Sequence, residues 1–269
     1  MADTPNIAVR LSQKIDMSDL ENANAPVPGS SPPLRTWDFM ETVFVSLIAY
    51  GTYTLTSEIV FSIMLVMHHV PKTLSPAQLQ ALAMQGYWYG TPLIVASLFT
   101  IVVLWIAIRM AGREFAEYLA LNWPRPRELV RALAIAAILL GAELAAVSFI
   151  SARDPQETSA YPYSSVQQAD GLFFPLIGGC IAGPILEEFV IRGFMFRGWS
   201  QSLLGPVGSI VLTSVLWGMM HTQYDWFWRF CIFVMGLALG YFRWRSNSTW
   251  LPVMVHSAAN IFFFFAMGL

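Results

Sequence analysis

Long apolar segments dominate this sequence and restrict the folds that it can adopt. Hydrophobic residues make up 56% of the 269 residues, and charged residues only 12%, whereas soluble domains average about 25% charged residues. A chain of this composition cannot bury all of its apolar side chains in a soluble core, so the hydrocarbon region of a membrane suits it better. We therefore predict an all-α protein, a polytopic bundle of membrane helices.

Seven apolar segments are the candidate membrane spans. The first is longer than the ~20 residues that a bilayer requires, so it must tilt or protrude. Residues 1–35 precede it, and their Pro, Ser, Asn and Asp content predicts a disordered tail. We divide the rest of the chain into 36–170, with three spans and their loops, and 171–269, with four spans. The predicted spans are residues 39–67, 87–108, 129–150, 172–199, 207–220, 226–241 and 250–267.

The distribution of Lys and Arg predicts the orientation of these spans. Cytoplasmic connections carry an excess of both residue types. The connections after the second, fourth and sixth spans lie on one side of the membrane, while the opposite side offers only Lys72, Arg153 and Arg229. The N-terminus is therefore predicted to be cytoplasmic and the C-terminus to lie outside. The basic residues on the predicted cytoplasmic side are Arg109, Arg113, Arg125, Arg127, Arg131, Arg192, Arg197, Arg243 and Arg245.

Two adjacent carboxylates and an arginine interrupt the fourth apolar segment. Glu187, Glu188 and Arg192 lie within six positions, and a charged side chain at the centre of a bilayer costs roughly 2.5–3.5 kcal/mol or more. Glu188 and Arg192 are four positions apart on one helix face, an arrangement that favours an ion pair. Glu187 points about 100° away on the helix. It is left without a salt bridge and is therefore free to take a proton from water.

Three further polar residues lie in the apolar segments that follow. His221 ends the fifth segment, and His256 and Asn260 lie early in the seventh. The turn at residues 204–206 is about midway between Glu187 and His221, so antiparallel helices bring these two side chains to one level. His256 and Asn260 are four positions apart and share a helix face. We predict that the four side chains converge on one site.

This set of residues suits the attack of water on an amide. Glu187 would act as the general base with His221 holding the same water, and His256 and Asn260 would donate hydrogen bonds to the tetrahedral oxyanion. A zinc site of Glu187, His221 and His256 is chemically possible, but the sequence has no His-Glu-x-x-His motif. A third interpretation is that these polar groups only hold the helices together. Glu143 in the third segment is the main alternative candidate for a functional charged residue within the apolar segments.

Three motifs in residues 171–265 resemble those of the CAAX protease and bacteriocin-processing family, also called the Abi family of glutamate intramembrane proteases. The family's Glu-Glu-x-x-x-Arg signature matches residues 187–192. Its Phe-x-x-x-His element resembles residues 217–221, with Trp217 in place of Phe, and its His-x-x-x-Asn element matches residues 256–260.

The resemblance implies an all-helical bundle with a metal-independent catalytic cavity that opens toward the cytoplasm, and it makes residues 171–269 the catalytic part. By this resemblance Glu187 and His221 would activate the water. His256 and Asn260 would form the oxyanion hole, and Glu188 and Arg192 would support the site.

We therefore expect an endopeptidase that uses no metal or other cofactor and cleaves a membrane-associated protein or peptide. A prenylated CAAX-type protein and a bacteriocin-like peptide are the substrates that the resemblance implies. The alternative is a non-proteolytic membrane scaffold or immunity protein that binds a partner through the same cavity. Expected partners are membrane lipid and the substrate. A nucleic-acid partner is not expected, because the formal net charge is −2 and no basic cluster is present. The expected location is the plasma membrane of a prokaryote, as an integral multi-pass protein.

Overall fold

The computed structural model describes residues 35–153 and 172–268. The predicted disordered tail lies outside the described residues except for Arg35, and so does most of the polar connection that follows the third predicted span. Within the described ranges the chain is helical and contains no strand.

Seven long helices and two short ones make up the described part of the chain. Each predicted span corresponds to one long helix, with ends that agree within a few residues, and the prediction of an all-α membrane helix bundle is confirmed. The two short helices were not predicted. In chain order the helices are α1 (Phe39–Met67), α2 (Pro76–Ala83), α3 (Gly86–Met110), α4 (Phe115–Tyr118), α5 (Pro126–Arg153), α6 (Phe173–Ser200), α7 (Gly205–Met220), α8 (Trp226–Ser246) and α9 (Trp250–Gly268).

Length and composition make four of these helices able to cross a membrane. They are α1, α3, α5 as far as Ile150, and α6, while α7 and the segment Trp250–Ala266 of α9 are apolar but shorter. Large apolar side chains such as Leu47 and Ile138 are exposed on the outside of the bundle, as expected for helices that face lipid. The chain is therefore an integral membrane protein, whereas seven as the number of spans and the cytoplasmic N-terminus stay predictions.

Local capping explains where the helices begin and end. Asp38 accepts a hydrogen bond from the backbone of Glu41, whose side chain accepts one in return, and this capping box starts α1. Ser75 starts α2 in the same way. Asp225 caps the first turn of α8, and Asn247 ends that helix in the left-handed conformation that terminates many helices.

The helix ends fall into two groups, one at each end of the bundle. The first group, here called the basic end, comprises the start of α1 and the α3–α5, α6–α7 and α8–α9 connections. Hydrogen bonds between distant segments hold it together. Trp199 Nε1 donates to Phe39 O at 3.2 Å, and Thr249 N donates to Ala120 O at 2.9 Å.

The second group, here called the opposite end, comprises the α1–α3 connection with α2, the end of α5, the start of α6, the α7–α8 connection and the end of α9. Aromatic rings pack there. The rings of His68 and Trp88 are 5.1 Å apart, and those of Tyr87 and Phe174 are 4.9 Å apart. Each long helix therefore runs from one end of the bundle to the other.

The central helix α6 is irregular in two places. In its most apolar stretch 56% of the residues are buried, against 11% in α1 and α5. Wider π-helical turns interrupt it at Gly178–Ala182 and at Phe189–Met195, and such turns are frequent at functional sites. A Cβ on Gly178 would lie 2.9 Å from Gly90 Cα of α3, so the two helices touch through backbone. The first of the two π-helical turns ends immediately before Gly183 and Pro184.

Candidate active site

A cavity of about 750 Å³ lies inside the bundle, walled by α1, α2, α3, α5, α6, α7, α8 and α9. The two supporting residues lie behind its wall, with side chains that are 0% exposed for Glu188 and 1% exposed for Arg192. The structure therefore brings all of the predicted site residues to one region. Those that line the cavity itself are Glu187, His221, His256 and Asn260.

Glu187 on α6 contacts Trp217 on α7. The indole Nε1 donates a hydrogen bond of 2.6 Å to Glu187 Oε2. The arginine of the same helix, Arg192, instead bonds to Glu188 with 2.9 Å between Nη1 and Oε1. Among the described residues Glu187 forms no ion pair, which agrees with its predicted freedom from a salt bridge.

His221 is the first residue beyond α7, and the backbone orients its ring. Nδ1 lies 2.7 Å from the carbonyl oxygen of Trp217. A carbonyl can only accept, so Nδ1 carries the hydrogen, and in the neutral ring Nε2 keeps its lone pair. The ring stacks on Tyr224, with centroids 5.8 Å apart. His221 therefore presents a hydrogen-bond acceptor from Nε2.

The residue of α7 that contacts Glu187 differs from the one that the residue count along the two helices predicted. Equal distances from the hairpin turn predicted that Glu187 faces His221, but Glu187 bonds to Trp217, one helical turn nearer the hairpin. The π-helical turns at Phe189–Met195 lie between Glu187 and the hairpin. A π-helix winds more residues into each turn and advances less per residue, so Glu187 lies closer to the hairpin than an α-helix would place it.

His256 on α9 and Arg192 share one oxygen of Glu188. His256 Nδ1 and Arg192 Nη1 each lie 2.9 Å from Glu188 Oε1. Arg192 also donates to the backbone oxygen of Gly236 at 3.4 Å and lies over the Trp217 ring, 4.4 Å from its centroid. A buried charge requires partners of this kind. Glu188 orients the His256 ring, and Arg192 balances the negative charge of Glu188.

Asn260 bonds to the irregular part of α6, with 2.8 Å between its Nδ2 and Gly179 O. The backbone pattern explains why that oxygen is available. Gly183 N bonds to Gly178 O, five positions back, so in the same pattern the partner of Gly179 O would be the N–H of residue 184. That residue is Pro184, which has no N–H. Asn260 supplies the missing hydrogen bond, and the second hydrogen of its amide remains.

Trp217 is the residue whose importance the sequence did not reveal. Its Nε1 holds Glu187, its carbonyl holds His221, and its ring lies 5.1 Å from the His256 ring. From the sequence it was only a position of the family's motif at which Trp stands in place of Phe. A buried indole N–H requires an acceptor. Because Trp217 lies one helical turn before His221, that requirement is the signal that could have pointed to Glu187.

Glu143, the rival charged residue, lies in the wall of the same cavity. It is half-buried and hydrogen-bonds to Cys231 of α8. Its partner therefore belongs to a neighbouring helix, which is one of the structural roles that a carboxylate within a membrane helix can have.

The geometry of the side chains also bears on the zinc interpretation. In the described ranges, no three or more His, Cys, Asp and Glu side chains are grouped so that they could hold a metal ion. Both histidines of the site use Nδ1 for hydrogen bonds within the protein.

Comparison with known proteins gives a family match for part of the chain. Residues 169–262 match the family described as type II CAAX prenyl endopeptidase Rce1-like. The matched segment contains all three motifs, so the resemblance of this segment to the CAAX protease family is confirmed. No curated protein and no solved structure matches the chain significantly.

Proposed function

We propose that this protein is a metal-independent glutamate endopeptidase that hydrolyses a peptide bond in a membrane-associated protein or peptide. The observation that carries the proposal is the contact of Trp217 with Glu187, His221 and His256 at one wall of the cavity. A carboxylate without a salt bridge is costly within a membrane bundle, and ionisable residues that persist there are usually functional. Its position beside two imidazoles suits acid–base chemistry.

Water activation is the role of Glu187 and His221. Trp217 holds Glu187 Oε2, which leaves Oε1 to accept a proton from a water molecule, and His221 Nε2 accepts a hydrogen bond from the same water. The water oxygen attacks the carbonyl carbon of the substrate as its proton passes to Glu187. Glu187 then transfers that proton to the amide nitrogen, and the C–N bond breaks to release an amine and a carboxylate.

Oxyanion stabilisation is the role of His256 and Asn260. Asn260 has a second amide hydrogen beyond the one that it donates to Gly179 O. His256 uses Nδ1 toward Glu188, so it can donate from Nε2 only as the imidazolium. Donors aimed at the developing negative charge stabilise the transition state most.

The test is the variant Glu187→Gln, which keeps the shape of the side chain and removes the base. Membrane proteomes with wild-type protein should contain new C-termini, and these should vanish with Glu187→Gln. The matched control is Glu143→Gln, in the same cavity wall, which should retain cleavage. If Glu187→Gln keeps full activity, the proposed mechanism is wrong.

A non-proteolytic scaffold or immunity protein is the second candidate. It is favoured by the interhelical bonds that site residues form, His256 with Glu188 and Asn260 with Gly179, since these bonds hold helices together whether or not the site is catalytic. In that case Glu187→Gln should keep the biological effect and partner binding, and wild-type membranes should show no new C-termini.

Chelation separates the proposal from a zinc protease. Cleavage by the purified protein should persist in a strong chelator, because Glu187 and His221 activate the water without a Lewis acid. Loss of cleavage in chelator, restored by added zinc, would support the metal interpretation. The plasma membrane of a prokaryote remains the proposed location, with membrane lipid and the substrate as partners.

A further inference from the structure

We propose that the cavity takes its substrate from the non-cytoplasmic side of the membrane, as a short extended segment of a translocated peptide or of the outer part of a membrane protein. The choice of substrate rests on the proposed function, whereas the position of the entrance does not depend on catalysis. The proposal differs from the cytoplasmic entrance that the family resemblance implies.

The solvent-exposed part of the cavity wall lies at the opposite end of the bundle. Most lining side chains are buried or half-buried, and the exposed ones come from three places. Glu58 lies on the half of α1 that leads to the opposite end, Pro76 and Gln80 lie on α2, and Gln223 lies in the α7–α8 connection. The cavity therefore reaches the surface between α2 and the α7–α8 connection.

The bundle is closed between Glu187 and the basic end. Arg192, Phe194 and Trp199, which follow Glu187 along α6, are at most 2% exposed. Leu119 from the α3–α5 connection and Leu239 from α8 are 0% exposed. None of these five residues lines the cavity. As far as the described residues show, a polypeptide that arrives at the basic end meets packed side chains, whereas one at the opposite end meets an opening.

Charge identifies the two ends. The described part of the opposite end carries few basic residues, Lys72, Arg153 and Arg229. By the positive-inside rule the basic end lies in the cytoplasm, and the opening faces away from it. The basic side chains at the basic end are Arg35, Arg109, Arg113, Arg125, Arg127, Arg131, Arg197, Arg243 and Arg245.

The lining indicates what can enter. Apolar and aromatic side chains such as Phe61, Trp88 and Phe263 form much of the wall, and about 750 Å³ lies within the range of pockets for small ligands. The cavity therefore accommodates a short apolar stretch rather than a folded domain. A prenylated cytoplasmic tail would have to pass the closed basic end to reach Glu187.

Accessibility of single cysteines tests the proposal without requiring turnover. In a background with Cys180→Ala and Cys231→Ala, three variants are compared: Gln80→Cys at the opening, Ala259→Cys in the cavity wall beside Asn260, and Leu203→Cys in the α6–α7 connection of the basic end, where Leu203 is 95% exposed. A small membrane-impermeant thiol reagent is applied to right-side-out and to inverted membrane vesicles.

The expected result is that Gln80→Cys and Ala259→Cys react in right-side-out vesicles and Leu203→Cys reacts only in inverted ones. Reaction of Gln80→Cys only in inverted vesicles would show that the opening faces the cytoplasm. Reaction of Ala259→Cys from the side of Leu203→Cys, or from neither side, would show that the entrance is not at α2. If the labelling is as expected but wild-type protein cleaves nothing, the proposed function fails while the entrance stands.

Discussion

The indole Nε1 of Trp217 donates a 2.6 Å hydrogen bond to Glu187, and no other hydrogen bond is found for that carboxylate among the described residues. The backbone carbonyl of the same tryptophan accepts from His221 at 2.7 Å. One residue thus positions two side chains that lie on different segments of the chain. The relative placement of the proposed base and the proposed water-holding imidazole therefore depends on the conformation of Trp217.

Trp217→Phe should lower kcat by about 10- to 100-fold with little change in KM, because a hydrogen bond to a charged group is worth about 1.5–3 kcal/mol.

Trp199→Phe is the matched control for that variant. It also removes a buried indole hydrogen bond, the one to Phe39 O, but at the basic end and away from the cavity. Its melting temperature should fall while kcat stays unchanged. Equal losses of kcat in both variants would show that Trp217 acts only through stability.

Arg192→Met should destabilise the protein by about 3–5 kcal/mol, because it leaves the Glu188 carboxylate buried with its main counter-charge removed. Thermal unfolding in detergent measures this. The double variant Glu188→Gln with Arg192→Met should recover much of the loss. Arg197→Met, which removes a partly exposed partner of Glu117, should cost at most about 1 kcal/mol. Similar losses in Arg192→Met and in the double variant would contradict the role of the pair.

Gly178→Ala should destabilise the bundle by about 1–3 kcal/mol, because an added methyl group in a packed core forces the backbone apart. The new Cβ would lie 2.9 Å from Gly90 Cα, at the helix contact next to the oxygen that Asn260 holds. Gly51→Ala in α1 is the control, since nothing lies within 4 Å of a Cβ there. Its melting temperature should not fall, and a fall as large as that of Gly178→Ala would exclude a steric cause.

The stability contributed by Glu117 at the basic end should be lost in acid. The hydrogen bonds from Arg113 hold the pKa of this carboxyl below its usual range, with a smaller effect of Arg197. A lowered pKa in the folded state means that the contribution is present above the pKa of the unfolded chain and is lost as the pH falls through the folded-state value.

The melting temperatures of wild type and Glu117→Gln, measured from about pH 7 to about pH 3, test this linkage. Because the Glu117 side chain is 49% exposed, the difference at neutral pH should be under about 1 kcal/mol. It should shrink toward zero in acid. A difference that stays constant over the whole range would contradict the linkage.

Much of the fold could be predicted because it depends on local properties of the chain. Apolar segments with polar connections predict helices and their approximate ends, and each predicted span has a matching long helix. The short helix α2 was missed because eight residues between two spans carry no hydropathy signal. Only its capping residues Ser75 and Gln78 mark it.

Part of the site was also readable from spacing. The four-residue separation of Glu188 and Arg192 predicted their pairing, and the structure contains that pair. The bond from His256 to Glu188 was not predicted, because it joins residues 68 positions apart. Its formation depends on how two helices pack, which spacing within one helix does not specify.

The sequence by itself determined that this chain is a helical membrane protein with a segment that resembles the CAAX protease family, because hydropathy and motif spacing are properties of neighbouring residues. Only the tertiary structure decided that Trp217 links Glu187 to His221, that Asn260 completes the helix broken at Pro184, and which end of the bundle the cavity reaches. These features depend on contacts between helices, which the spacing of residues along one helix does not specify.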